Sequence, residues 1–171
     1  MEREDLCAQA GVSLHSKRQM ETRRSKSSEP LPATVEDRPA VLSLLRESGL
    51  PIEGVADHFP DAYVVIREGK GLLAVAGLEP YGDAGLLRSV AVASHVRGAG
   101  FGKALVENLL DDAGERGLRQ VFLLTTTAAD YFRKLGFIDA HREEAPAEMR
   151  RSPEFSGACP SSAVCLKKIL P

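Results

Sequence analysis

The chain has 171 residues, of which 43% are apolar and 27% charged, and its formal net charge is -2. This length fits one ordinary domain with a tail, and the apolar fraction suffices for a buried core. The near-neutral charge gives no electrostatic reason to expect a nucleic-acid partner, and no apolar run approaches the roughly 18 residues that a membrane span needs. We therefore expect a cytoplasmic, single-domain protein without nucleic-acid or membrane partners.

Residues 1–30 differ in composition from the rest of the chain. They carry basic and acidic side chains in similar numbers and lack Phe, Tyr and Trp. Such a segment buries too little apolar area to offset the entropy lost on ordering. We predict a disordered N-terminal tail over residues 1–30 and a folded domain over residues 31–171.

The first half of that domain predicts one helix and three strands. Residues 34–37 resemble a helix capping box, and the apolar face that follows them ends at Gly49. Apolar runs at residues 63–66 and 72–76, joined by a turn that contains glycine, predict a β-hairpin. Residues 86–92 form a third, nearly continuous apolar run and predict another strand.

The second half alternates helices with strands. Between Gly102 and Gly117, apolar residues recur every four positions with charged residues on the opposite face, which predicts an amphipathic helix. Residues 121–124 predict a buried strand, 128–135 a short helix and 163–166 a last strand. A hairpin followed by strand–helix–strand units predicts a mixed α/β fold with a central mixed sheet.

The turn between the third strand and the amphipathic helix, residues 97–102, is Arg-Gly-Ala-Gly-Phe-Gly; we call it the glycine turn. The first N–H groups of a helix lack intrahelical acceptors and attract anions, and glycines let a phosphate approach the backbone closely. Arg97 and Lys103 add positive charge. The spacing fits neither a dinucleotide fingerprint nor a P-loop, because Lys103 stands where the former needs its last glycine and Ala104 follows it where the latter needs Ser or Thr. The turn predicts a phosphate or pyrophosphate site.

Two motifs resemble those of the GNAT superfamily of N-acetyltransferases. Residues 87–105, Leu-Arg-Ser-Val-Ala-Val through Lys-Ala-Leu, resemble its acetyl-CoA motif, and residues 132–137, Phe-Arg-Lys-Leu-Gly-Phe, resemble its second motif, Y-x-K-x-G-F. Together they anchor a resemblance over about residues 32–140. The resemblance implies the GNAT fold, with six to seven strands and flanking helices. It also implies an N-acetyltransferase that uses acetyl-CoA as cosubstrate, and it allows a homodimer.

Three further stretches resemble the arsenic-resistance N-acetyltransferase group within that superfamily. They are Gly-Leu-Glu-Pro-Tyr-Gly-Asp at residues 77–83, Leu-Leu-Thr-Thr-Thr-Ala-Ala at 123–129 and Cys-Pro-Ser-Ser-Ala-Val-Cys at 159–165. This resemblance implies a small amine acceptor, such as an amino-acid-like arsenical or phosphinate, and a role in resistance or detoxification. The alternative is a non-catalytic module that binds CoA or an arsenical, because Phe132 replaces the tyrosine of the second motif.

The resemblance also implies a set of residues for acetyl-CoA. Backbone N–H groups of the glycine turn would hold the pyrophosphate, and strand-like pairing with Val90 and Val92 would hold the pantetheine. Thr125 stands where the family usually has an asparagine. Cys159 and Cys165 miss the usual spacing of zinc ligands, so no metal is expected. The predicted acetyl-CoA contacts are Val90, Ala91, Val92, Arg97, Gly98, Ala99, Gly100, Phe101, Gly102, Lys103, Thr125 and Phe132.

The acid that would protonate the departing thiolate is not fixed by the second motif. Phe132 has no proton to give, and Tyr131 beside it is turned by about 100° around the helix. Either Tyr131 reaches the sulfur through a shifted helix or no side-chain acid is used, since a thiol is acidic enough for water to suffice. Tyr131 is therefore the predicted catalytic acid if a side chain acts.

Three residues are candidates for the general base that takes the proton of the amine: Glu79, Asp83 and His95. Glu79 is preferred, because a strand is expected to end there beside the substrate cleft, with a loop over residues 79–83. Arg88 lies inside the third strand and would be costly to bury unpaired. It is predicted to bind an anionic group of the acceptor or to pair with an acidic neighbour such as Asp83. Tyr81 is predicted to contact the acceptor as well.

Overall fold

The structure of the protein is a computed structural model that describes residues 29–171. All but the last two residues of the predicted tail therefore lie outside the described residues. The strands are β1 (Leu31–Pro32), β2 (Tyr63–Glu68), β3 (Gly71–Tyr81), β4 (Ala84–Val92), β5 (Gln120–Thr125), β6 (Ile138–Asp139) and β7 (Val164–Ile169). The α-helices are α1 (Arg38–Glu47), α2 (Val55–His58), α3 (Phe101–Glu115), α4 (Ala129–Lys134) and α5 (Ala147–Arg150), with 3-10 turns at Val35–Asp37, Ser94–Val96 and Arg142–Glu144 and an irregular π turn at Glu154–Ala158.

The strands form one seven-stranded sheet in the order β1-β2-β3-β4-β5-β7-β6. β4 and β5 pair in parallel, with α3 as the crossover, and the other neighbouring strands pair antiparallel. A parallel pair needs such a crossover, which the alternating pattern of the second half supplies. The predicted mixed α/β fold, with six to seven strands and flanking helices, is confirmed.

Two apolar cores lie on opposite faces of the sheet. Leu105 of α3 belongs with Ala76 of β3 to one buried cluster, and Leu45 of α1 belongs with Val75 of β3 to the other. Val75 and Ala76 are consecutive, and successive side chains of a strand point to opposite faces. The helix predicted between two glycines is α3, and Gly117 ends it with a positive φ of 80°.

The end of β3 differs from the sequence prediction. The loop expected over residues 79–83 is wrong, because β3 continues to Tyr81 and only the next two residues form the turn. Proline and glycine in this stretch are typical of a loop, but Glu79 is paired with Leu86 in the β3–β4 ladder. Strand pairing therefore overrides the local signal. The two-residue strands β1 and β6 have no apolar pattern that could predict them.

The divergence of β4 from β5 positions the site. Their ladder ends at the pair of Leu86 and Phe122, although both strands continue beyond it. β4 carries a bulge just after this point, since Ser89 and Val90 stand opposite the single residue Ala76 of β3. Ser89 there has a φ of 57°. A bulge bends its strand, so the end of β4 turns away from β5 and a cleft opens between them.

Candidate active site

A cavity of about 770 Å³ occupies the cleft between the diverging ends of β4 and β5. The glycine turn lies at one end of it, and buried charged residues lie at the other. Its lining includes Arg88, Gly102, Thr125, Tyr131, Phe132 and Glu154. Of the predicted acetyl-CoA contacts, all except Ala99 line this cavity. The N–H of Ala99 instead donates to the carbonyl oxygen of Val96 over 3.3 Å.

The glycine turn presents its backbone to the cavity. Gly98 and Gly100 have φ values of 83° and 88°, a conformation that strongly favours glycine. A Cβ at either position would have no atom within 4 Å, so open space faces the backbone there. Nε of Arg97 donates to the carbonyl oxygen of Val92 over 3.2 Å and ties the turn to the end of β4. The first N–H groups of α3 have no acceptor within the helix, and N–H groups in this position attract anions.

Tyr131 lies beside the start of α3. A Cβ on Gly102 would come within 2.9 Å of the Tyr131 hydroxyl oxygen, so the glycine makes room for this side chain. Tyr131 is 39% exposed and lines the cavity. Burial and the charge of Glu107 raise the pKa of Tyr131, so its phenol keeps its proton at neutral pH. A proton donor is therefore present in the cavity although it is not at the tyrosine position of the second motif.

Phe132, which occupies that motif position, has a mainly structural environment. It is buried in the core under α3 and packs edge-to-face on Phe137, with ring centroids 5.8 Å apart. Oγ1 of Thr125 accepts a hydrogen bond from the N–H of Ala128 over 3.0 Å, just before α4 begins. These two contacts fix α4 and thereby hold Tyr131 at the cavity.

At the far end of the cavity, Arg88 forms a buried cluster with two carboxylates. Nη1 of Arg88 donates to Oε1 of Glu79 over 3.1 Å, and Nη2 donates to the carbonyl oxygen of Glu53 over 2.6 Å. Nη2 also lies 3.1 Å from Oε2 of Glu154. Arg88, Glu79 and Glu154 are 3%, 1% and 5% exposed; we call them the Arg88 cluster. Asp83, the partner suggested by the sequence, is exposed and lies outside this cluster.

Glu79 and Tyr81 lie behind the cavity rather than in it. The strand was predicted to end at Glu79, but this residue lies within β3 and is absent from the cavity lining, as is Tyr81. The Tyr81 hydroxyl donates to Oε2 of Glu79 over 3.1 Å, and burial together with Glu79 raises the pKa of Tyr81 to about 12. Among the other candidates for the base, Asp83 and His95 are exposed on the surface and do not line the cavity.

Glu154 is the charged lining residue that sequence reasoning missed. It comes from the irregular π turn after α5 and shares a hydrogen bond with Cys159, whose Sγ lies 3.3 Å from its Oε1. Burial raises the pKa of Glu154, and the Arg88 charge opposes this rise. The segment around Glu154 has neither helical nor strand periodicity, so no local pattern distinguishes this glutamate from the solvated ones nearby.

Among the described residues, the glycine turn, the phenol of Tyr131 and the carboxyl group of Glu154 line one cavity. Within residues 29–171, no group of three or more His, Cys, Asp or Glu side chains could hold a metal ion. No helix in the same residues is long and apolar enough to cross a membrane.

Residues 60–139 match the acetyltransferase (GNAT) domain family. The amino-acid acetyltransferase of Pseudomonas putida (strain GB-1) is 34% identical over 143 residues, which are 80% of this chain and 32% of that protein. The amino-acid acetyltransferase of Azotobacter vinelandii (strain DJ / ATCC BAA-1303) is 35% identical over 124 residues, 67% of this chain and 28% of that protein. The chain thus spans about a third of the length of these curated relatives.

Solved structures share the fold at lower identity. N-acetylglutamate synthase from Neisseria gonorrhoeae, complexed with coenzyme A and N-acetyl-glutamate, gives a TM-score of 0.73 at 22% identity, covering 84% of this chain and 35% of that chain. Rv2747 from Mycobacterium tuberculosis, in complex with CoA, gives a TM-score of 0.71 at 22% identity, covering 83% of this chain and 99% of that chain. The fold is therefore that of the GNAT acetyltransferases. The segment that matches the acetyltransferase (GNAT) domain family, residues 60–139, extends from just before β2 to the end of β6.

Proposed function

We propose that the protein is an acetyl-CoA-dependent N-acetyltransferase whose acceptor is a small, amino-acid-like amine. The observation that carries this proposal is one continuous cavity that joins the glycine turn to a buried carboxylate past a protonated tyrosine. The relatives named as amino-acid acetyltransferases, and the related structures that contain coenzyme A, support the same assignment.

Acetyl-CoA fits the end of the cavity that the glycine turn forms. Its pyrophosphate would accept hydrogen bonds from the N–H groups at the start of α3, where the positive φ of Gly98 and Gly100 leaves open space. Its pantetheine would pair with Val90 and Val92 along the edge of β4 that β5 leaves free. The acetyl thioester would then lie between the two strands, within reach of Tyr131.

The reaction needs an amine nucleophile and an acid for the sulfur. The free amine attacks the acetyl carbonyl carbon, the carbon–sulfur bond breaks, and the thiolate takes up a proton. Tyr131 is the proposed donor, because its phenol is protonated at neutral pH and lines the cavity. Holding both substrates in one cleft supplies the rest of the acceleration by orientation.

The proposed acceptor is an amino acid or an amino-acid-like compound. The names of the relatives favour an amino acid, and the resemblance of three stretches to the arsenic-resistance group adds amino-acid-like arsenicals and phosphinates as candidates. Arg88 would act on the acceptor through Glu154, since two carboxylates and a carbonyl oxygen already surround its guanidinium.

The test is release of free CoA thiol from acetyl-CoA in the presence of single L-amino acids, glutamate-like phosphinates and arsenicals, aminoglycosides and peptide N-termini. We expect release with at least one amino acid or amino-acid analogue. Tight acetyl-CoA binding without release across the whole panel would instead favour the non-catalytic CoA-binding module.

A further inference from the structure

We propose that Glu154 binds the ammonium group of the acceptor and removes its proton, as the general base of the site. This inference rests on the proposed function and deepens it. The preferred candidate from the sequence, Glu79, is buried behind the cavity, whereas Glu154 lines it.

The charges of the Arg88 cluster favour a positively charged ligand. The Arg88 cluster holds one cation and two carboxylates, so with both carboxylates ionised it has one excess negative charge in a buried position. One further basic side chain, His58, faces Glu79 of the cluster, with its Nε2 4.0 Å from Oε2 of Glu79. Burying an uncompensated charge is costly, and a positively charged ligand removes that cost. Because Glu154 is the carboxylate of the cluster that lines the cavity, an ammonium in the cavity would meet it. A carboxylate of the acceptor would be repelled at the same place.

The two carboxylate oxygens of Glu154 differ in their hydrogen bonds. Oε1 of Glu154 accepts from the Cys159 thiol, which stays protonated because burial and Glu154 itself raise its pKa to about 12. Oε2 lies 3.1 Å from Nη2 of Arg88, but the two atoms are not aligned for a hydrogen bond. Within residues 29–171, Oε2 has no hydrogen-bond donor. A buried acceptor of this kind is normally satisfied, so a donor from a ligand is expected.

The residues on either side of Glu154 hold it in place. Gly54 brings its turn so close that a Cβ there would lie 2.9 Å from the side chain of Pro153 and 3.1 Å from Nη1 of Arg88. Phe155, on the other side of Glu154, is buried in the core beside β5 and β7. Glu154 thus lies between two packed neighbours, Pro153 and Phe155, and Arg88 orients its carboxylate. Burial raises its pKa, which makes it a stronger base than an ordinary glutamate.

Both protons that the nitrogen loses during acetyl transfer have an acceptor. The ammonium gives one proton to the Glu154 carboxylate, which leaves a free amine and a neutral carboxylic acid. The amine then forms the carbon–nitrogen bond as the carbon–sulfur bond breaks. The second proton lost by the nitrogen balances the one that the CoA thiolate takes up. Glu154 returns its proton to water before the next turnover.

The decisive comparison is Glu154→Gln against Glu148→Gln, a matched change on an exposed residue of α5 in the same segment. We expect Glu154→Gln to lower kcat about 100-fold or more at pH 7, the size typical of a lost general base, with the KM for acetyl-CoA unchanged. The deficit should shrink as pH rises, because more of the acceptor is then already a free amine. Glu148→Gln should behave as the wild type.

The variant Glu79→Gln distinguishes a catalytic role of Glu154 from a merely structural one. Both variants remove one of the two carboxylates that surround Arg88, so a purely structural role of these carboxylates should affect kcat and its pH dependence alike in both. The pH dependence of kcat should change in Glu154→Gln alone. The same pH profile in Glu154→Gln as in the wild type, with turnover within threefold, would overturn the inference while leaving the proposed function intact.

Failure of the proposed function gives a different result. If the wild type releases no thiol with any amine, binding of each of the twenty L-amino acids to the CoA-saturated protein is measured by calorimetry. Binding to the wild type that Glu154→Gln abolishes would still support Glu154 as the ammonium site. Equal binding to both proteins, or no binding to either, would overturn it.

Discussion

The glycine turn and the Arg88 cluster, at the two ends of one cavity, are built by different means. The glycine turn is six consecutive residues, and it offers backbone N–H groups whose direction follows from the start of α3. The Arg88 cluster combines side chains from β3, β4 and the π turn after α5, which are far apart in the chain. A backbone site tolerates most side-chain changes but not a new Cβ, whereas a buried charge cluster depends on every member.

Removal of the Arg88 charge should have the largest effect on stability. It should disrupt the Arg88 cluster and leave the glycine turn unchanged. Arg88→Met leaves two buried carboxylates without their partner, and breaking a buried pair in this way costs about 3–5 kcal/mol of unfolding free energy. Urea denaturation measures the loss. The control is Arg133→Met, which removes an exposed arginine from Asp130 and Asp139 and should cost far less. Equal losses in the two variants would contradict the role given to the Arg88 cluster.

A Cβ in the glycine turn should affect the opposite end. Gly100→Ala places a methyl group in the open space that a phosphate would occupy, at a φ of 88°. We expect the Kd for acetyl-CoA to rise about tenfold or more, while the left-handed backbone itself costs about 1–2 kcal/mol of stability. Gly69→Ala is the matched control, since Gly69 has a φ of 59° and open space but lies in the β2–β3 turn. A similar loss of acetyl-CoA affinity in both would mean that strain alone is responsible.

The smallest effect is expected at Tyr131, beside the glycine turn. Tyr131→Phe keeps the edge-to-face packing on Phe132, whose ring centroid is 5.2 Å away, and removes only the hydroxyl. We expect kcat to fall about tenfold, at the low end for acid catalysis because a thiolate is a good leaving group, with acetyl-CoA affinity unchanged. Steady-state kinetics at saturating acetyl-CoA measures this. An unchanged kcat would mean that water supplies the proton.

The same contrast explains what could be predicted from the sequence. The glycine turn, α3 and the hairpin of β2 and β3 follow from patterns within a few neighbouring residues, and the structure confirms these elements. The position of Glu79 could not be predicted well, because its strand is extended by pairing with β4 against a local signal for a loop. Local periodicity carries no information on such pairing.

Glu154 is the residue of the site that was hardest to predict from the sequence. Its burial depends on Arg88 and Cys159, and the segment that carries it has no regular pattern. The sequence indicated that Arg88 needs a partner, since an unpaired buried guanidinium is costly. The acidic residue that pairs with Arg88 could not be identified among the many glutamates and aspartates, because its position depends on the packing of α5 and the π turn against the sheet.

The most direct test of the central claim, that the two ends of the cavity hold the two substrates of one transfer, is mass spectrometry of the products. The protein is incubated with acetyl-CoA and an equimolar mixture of the twenty L-amino acids with glutamate-like phosphinates and arsenicals. We expect an N-acetylated amino acid or amino-acid analogue and free CoA in equal amounts, and about 100-fold slower formation of both with Glu154→Gln at neutral pH. Free CoA with acetate and no acetylated amine, or no product at all, would contradict it.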